Sequence, residues 1–352
     1  MTPLSRIKLK YSGLQCAHGA SWPELWQILQ QPVEPFICEL AGAGYPAPGY
    51  AFTVEEPSVM SLGVDRKLAR TMEKQAKLAL LGARATLTQH QQQTNHQHSG
   101  LYLALPTVNE DVPTWAALEE IQQAGDKANL GEIFLRETPP FSGLSQLNSS
   151  ACAHISATFG LMGAMSAFSP NADAGLQALI EGILSVAEGE NEQALIGGVS
   201  PKLNHLLPLH YAAQGWIPPS GLSPEEDSWF PGEGCSFLLA CPEDEGVTMV
   251  GYGRSFACDE DASGWYPAIH QALAMSGLDA SSIGWIFPAC PWNTRQRQAQ
   301  QEALSQIFAC PQEHLPLANS AAIPSRSANS SLWKVKFADL SKSRRASLRF
   351  TS

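Results

Sequence analysis

The sequence predicts an α/β protein with largely buried sheets. Short apolar runs of strand length alternate with helix-periodic stretches along nearly the whole chain. Several of the runs, such as LYLALP and CSFLLAC, are apolar throughout, as strands covered on both faces are. The alternation occurs in two successive halves that look architecturally alike without a close sequence repeat.

Residues 5–17 read as a strand followed by a glycine turn, and SWPELWQIL as a helix capped by Ser21 with Pro23 in its first turn. Residues 34–63, rich in Pro and Gly, read as an extended loop. From Asp65 one helix is expected, with Leu68, Met72, Ala76, Ala79, Leu80, Ala83 and Leu87 at helical spacing. The polar run 88–100 reads as a solvated loop. Its His96 and His98 are spaced for a metal in an extended segment, but no acid or cysteine is nearby in sequence, and no metal is expected. A strand at 101–106 and a helix over PTWAALEEIQQAG, ended by glycine, follow. Next come a helix at 149–159, a strand at 166–169, a helix at 174–187 and a strand at 193–200. In the second half, strands are expected at 235–241, 248–253, 283–289 and 315–320, with helices over YPAIHQALAMSG and RQRQAQQEALSQIF.

At 352 residues the chain suits one large domain or two fused ones. Its composition of 44% hydrophobic and 16% charged residues, with 28 Gly and 25 Pro, fits a loop-rich globular protein. A formal net charge of −11 argues against nucleic-acid binding. The one basic cluster, Lys342, Arg344, Arg345 and Arg349, reads as a solvated terminal face, or as a landing site for an acidic carrier protein. Eight cysteines without CxxC or scaffold spacing suggest reduced, mostly buried thiols. With no signal-peptide-like start and no run of eighteen apolar residues, a soluble cytoplasmic protein with no membrane partner is expected.

Five segments in order carry a family resemblance: DRKLARTMEKQAKLALLGARATL, residues 148–200, PEEDSWFPGEGCSFLLACPED, IGWIFPACPWNTRQRQAQQEALSQIF, and ASLRF. Together they resemble a β-ketoacyl synthase (ketosynthase) of the thiolase-like superfamily. The Gly-Glu-Gly at 232–234 is read as a glycine turn feeding a buried strand. The resemblance implies a five-layered αβαβα fold with two related halves, dimeric through the N-terminal half. Residues 1–245 would form the N-terminal-like half and 246–352 a C-terminal-like half, shortened between Leu332 and Asp339.

Ketosynthase condensation uses a thiolate at a helix N-terminus, two histidines and a lysine. Carried over by position, the nucleophile falls on Ala172, the first histidine on Ala289, the lysine on Ala321 and the second histidine on Arg326. All four functions are absent, and SKSRRAS (341–347) stands where the family has its glycine-rich oxyanion loop. Of the side chains that could replace them, Cys290 and Cys152 are expected to be buried, inert thiols, while Asp173 fits equally a carboxylate acting at the helix N-terminus and an ordinary helix N-terminal acid. The resemblance thus implies a non-catalytic subunit of chain-length-factor type, without cofactor. It would form a heterodimer with an active ketosynthase and be served by an acyl carrier protein, in type II polyketide, aryl-polyene or fatty-acid-like biosynthesis. A divergent acyltransferase or decarboxylase using other residues, and a homodimeric carrier-binding scaffold, stand as alternatives.

Overall fold

The computed structural model describes residues 4–29, 36–38, 49–90, 96–106, 112–125, 129–138, 143, 147, 149–169, 173–200, 232–256, 262–287, 294–308, 313–314 and 346–349. Its main sheet has five strands: β1 (Ile7–Cys16), β4 (Ser99–Ala104), β5 (Met165–Phe168), β6 (Gln193–Ser200) and β7 (Gly234–Pro242), in the order β1-β7-β6-β4-β5. β6, β4 and β5 run parallel, while β7 and β1 add antiparallel pairs. β4 is buried at all six positions, which explains its uninterrupted apolar run.

Helices cover both faces. α4 (Lys74–Gln89) and α7 (Ser149–Phe159) pack on one side, building a core with Leu78, Leu101, Ile155 and Phe237. α8 (Ala174–Ala187) packs on the other against Tyr102, Ala104 and Ile196. The order of strands explains this. The crossover from β4 through α7 to β5 moves one way along the sheet and that from β5 through α8 to β6 moves back, so two right-handed crossovers put their helices on opposite faces. A second, three-stranded sheet has the order β10-β8-β9 and is wholly parallel, from β8 (Ile283–Phe287), β9 (Glu313–His314) and β10 (Ala346–Arg349). Helices α9 (Trp265–Ser276) and α10 (Thr294–Ile307) close its core around Trp265, Ile269, Ile286 and Leu304. No described helix is long and apolar enough to cross a membrane.

Several expectations are corrected. β1 runs straight through Gly13, and its irregularity is a bulge between Lys10 and Ser12 at Tyr11, whose φ is 47°. Gly13 serves close approach, since a Cβ there would stand 2.1 Å from the Gly82 carbonyl oxygen of α4. The expected loop 34–63 contains a small hairpin, β2 (Phe36–Cys38) with β3 (Gly49–Ala51), and the single turn α2 (Val59–Leu62), capped by Ser58 and closed by Gly63 in the left-handed region. The long helix from Asp65 breaks into α3 (Arg66–Ala69) and α4. There the Thr71 hydroxyl donates to the Leu68 carbonyl at 2.8 Å and Met72 N–H turns back to Ala69, which interrupts the i to i−4 ladder. Residues 248–253 form no strand: Val247 bridges Leu9 once, after which Gly251 and Gly253 lie so close to the Ala272 and Ala268 carbonyls of α9 that no Cβ would fit. Beside the expected α5 (Val112–Ala124) stands an unanticipated α6 (Leu130–Glu137). The strand expected at 315–320 lies outside the described residues.

Candidate functional site

The position that the family pattern gives to the nucleophile falls between β5 and α8, at the carboxyl end of a parallel strand, where α/β sheets bind their ligands. Ala172 itself lies outside the described residues, as do Ala289, Cys290, Ala321 and Arg326. Their flanks are described. β5 pairs in register with β4 from Leu101↔Met165 to Ala104↔Phe168, and α8 begins at Ala174 with Ala174-Gly175-Leu176-Gln177 as its first turn. Asp173 precedes it with helical dihedrals. Its carboxylate accepts a hydrogen bond from Gln177 Nε2 and its carbonyl accepts the Gln177 N–H at 2.9 Å, so the acid is engaged by its own helix, as an N-terminal acid is expected to be. The strand and helix that would present a nucleophile are therefore built, while the sequence between them, Pro170-Asn171-Ala172, supplies no thiol.

Three of the described thiols, Cys152, Cys235 and Cys241, are poorly suited to replace it. Burial pushes Cys152 up to about 11, and Cys235 and Cys241 up to about 12, away from the thiolate that a nucleophile needs. His154, two residues beyond Cys152, turns elsewhere, since positions i and i+2 diverge by about 200° around a helix. Its Nε2 lies 3.2 Å from the Thr71 carbonyl oxygen, and burial lowers its pKa. Among the described residues no group of three His, Cys, Asp or Glu side chains could hold a metal. Two open clefts, of about 610 and 800 Å³, lie beside Cys16 and Glu24 and beside Tyr266 and His270; neither is lined by β5 or α8.

Two features escaped the sequence reading. The Gly-Glu-Gly segment is no left-handed turn: Gly232 bridges Phe52, Gly234 already belongs to β7, and the functional residue is the acid between them. The Glu233 side chain is 2% exposed, accepts the Val54 N–H at 3.0 Å and pairs with Lys74 at 2.6 Å. It ties β7, the 52–54 segment and the start of α4 together. The signal available was an acid inside a predicted buried strand start, which demands a cation.

The second is β5. Its burial pattern is exposed at Met165, Ser166 and Ala167, and Met162 and Met165 are 72% and 47% exposed. Leu101 N–H bonds the Ala164 carbonyl and Leu105 N–H that of Phe168, so even-numbered residues face β4. Met165 and Ala167 therefore turn their backbone N–H and C=O groups to the open edge, which pairs with nothing among the described residues.

Residues 54–245 match the family model described as "Beta-ketoacyl synthase, N-terminal domain". No curated protein matches the sequence. Among solved structures, a β-ketoacyl synthase from Burkholderia phymatum shares the fold at TM-score 0.68 and 16% identity, with 86% of this chain and 78% of that one covered. The ketosynthase ApeO in complex with its chain length factor ApeC, from Xenorhabdus doucetiae, gives TM-score 0.67 at 15% identity, covering 86% and 76%. A ketosynthase in complex with its type II acyl-carrier protein, AntDE:AntF, gives 0.65 at 16%, covering 86% and 78%. With more than half of its length matched to the family model and the thiolase-like α/β fold built around β5 and α8, this chain belongs to the β-ketoacyl synthase family.

Proposed function

We propose that the chain is a non-catalytic ketosynthase homologue of chain-length-factor type, which pairs through β5 with an active ketosynthase and shares its acyl carrier protein. The observation that carries this reading is an alanine at the nucleophile position of an otherwise retained strand–helix frame. With Ala172, Ala289, Ala321 and Arg326 at the four catalytic positions the thiolate, both decarboxylating histidines and the supporting lysine are absent, while the exposed edge of β5 supports association. Two solved structures of this fold are themselves complexes, one of a ketosynthase with its chain length factor and one of a ketosynthase with an acyl-carrier protein. Residues 1–245 and 246–352 correspond, in this reading, to the two halves of one ketosynthase body.

The test is co-expression with the active ketosynthases of the same organism, with the products sized by light scattering. A stable heterodimer that elongates malonyl-carrier substrate, while the isolated chain turns over none, is expected. Ala167→Pro removes an outward N–H of β5 without touching the β4 ladder and should abolish pairing. A monomer or homodimer indifferent to any ketosynthase, or turnover by the isolated chain, overturns the reading.

A further inference from the structure

Exposed large apolar side chains gather on one two-helix unit. α5 and α6 pack on each other, with Ala117 and Ile133 buried, and the Arg136–Glu120 ion pair joins the two helices. On α6, residues lie about 100° apart. Leu130, Phe134, Gly131 and Leu135 therefore share one continuous outward arc, about 140° wide and free of charge. Leu135 is 85% exposed, Leu130 54% and Phe134 38%. The arc is bounded on one side by Glu132 and on the other by Glu137, and α5 adds Glu119 and Glu120. The only cation of the two helices, Arg136, is already paired with Glu120 and Glu137.

An apolar stripe with charged borders is the face of a helix that packs on another helix, and the borders select the partner by sign. A second copy of this chain would set acid against acid, in a protein whose net charge is already −11. A membrane is disfavoured as well, because interfacial helices carry Lys and Arg beside their apolar face. We propose that α6 docks a helix of the ketosynthase partner, one with an apolar contact stripe bordered on both sides by Lys or Arg. This rests on the pairing proposed above and specifies the chemistry of the partner's facing surface.

The test measures association of the ketosynthase with the full chain and with two variants, Leu135→Gln and Glu132→Lys/Glu137→Lys. Leu135 is exposed, so unchanged circular dichroism is expected for Leu135→Gln; the charge reversal also removes the Asn129–Glu132 cap contact and the Arg136–Glu137 pair, so Glu132→Gln/Glu137→Gln, which keeps hydrogen-bonding side chains at both positions, is measured beside it and should lose part of the same association. Leu135→Gln should weaken association about tenfold through the off-rate. The charge reversal should weaken it about tenfold through the on-rate and remove most of its salt dependence. A heterodimer that forms with unchanged affinity in both variants overturns this inference and leaves the pairing at β5 standing. Failure of the unmodified chain to form any heterodimer overturns both. A homodimer weakened by Leu135→Gln, or binding to phosphatidylglycerol vesicles lost in that variant, reassigns α6 and overturns the choice of partner.

Discussion

Replacing Lys74 by Met isolates the contribution of the Glu233 pin. The acid is 2% exposed while Lys74 retains 29% exposure, so the pair sits at the border of the protein rather than deep within it. Removing one member of a fully buried pair costs about 3–5 kcal/mol. Water reaching the Lys74 end, and relief of a cation in the first turn of α4, reduce the expected loss to about 2 kcal/mol. Glu233→Gln keeps an acceptor for the Val54 N–H and lets Lys74 turn to solvent, for about 1 kcal/mol. The double variant, with neither buried charge nor orphaned N–H, should also lose only about 1 kcal/mol, leaving about 2 kcal/mol of coupling. Guanidinium unfolding followed by tryptophan fluorescence reads these as midpoint shifts at constant slope. Additive losses, or a Lys74→Met cost below about 0.5 kcal/mol, the value of an exposed pair, would refute the reasoning.

Phe237 is fully buried, and a Cβ at Gly197 or Gly82 would stand 2.3 or 2.5 Å from its ring, so Phe237→Ala should cost about 3–5 kcal/mol and Gly197→Ala about 1–3 in the same unfolding assay; near-neutral values would contradict the packing. Burial lowers the pKa of His154, so the unfolded chain takes up the proton first. Its stabilising contribution is full above about pH 6.5 and declines as pH falls through that value toward the lower folded pKa. The midpoint should therefore drop between pH 7 and 5, less steeply in His154→Gln, and equal slopes would count against this account. His90 is 7% exposed, lies against the Tyr11 ring and finds no hydrogen bond for either ring nitrogen among the described residues, so His90→Phe should be neutral or stabilising by up to about 1 kcal/mol. A clear loss of stability would show that a ring nitrogen matters.

The elements legible in the sequence were those whose local and tertiary demands agree. α8 and β6 occupy the residues that periodicity gives them, because an apolar helix covering an apolar parallel strand satisfies both propensity and burial at once. The helix from Asp65 misled for the opposite reason: its periodicity continues through Thr71, but the local bond of that hydroxyl back to Leu68 competes with the ladder, and the contact of the Thr71 carbonyl with His154 is a tertiary fact. Residues 248–253 have strand composition yet lie on α9, since glycines that permit a strand also permit a backbone to rest on a helix. At the candidate site the same division holds. The expectation at Ala172 rests on the order of segments around it, whereas the open edge of β5 was hidden, because Met165-Ser166-Ala167 reads like any short strand and only the sheet order shows that one side is unpaired among the described residues.

That bare side also bears on how much of the chain a cell can hold. Two outward N–H and two outward C=O groups, flanked by Met162 and Met165, form a template for any extended segment of another molecule, and no Lys, Pro or inward charge interrupts β5 to blunt it. On the pairing proposed above, solubility becomes a matter of stoichiometry: molecules made in excess of the partner that covers the edge would keep it open, and that surplus is expected to aggregate first.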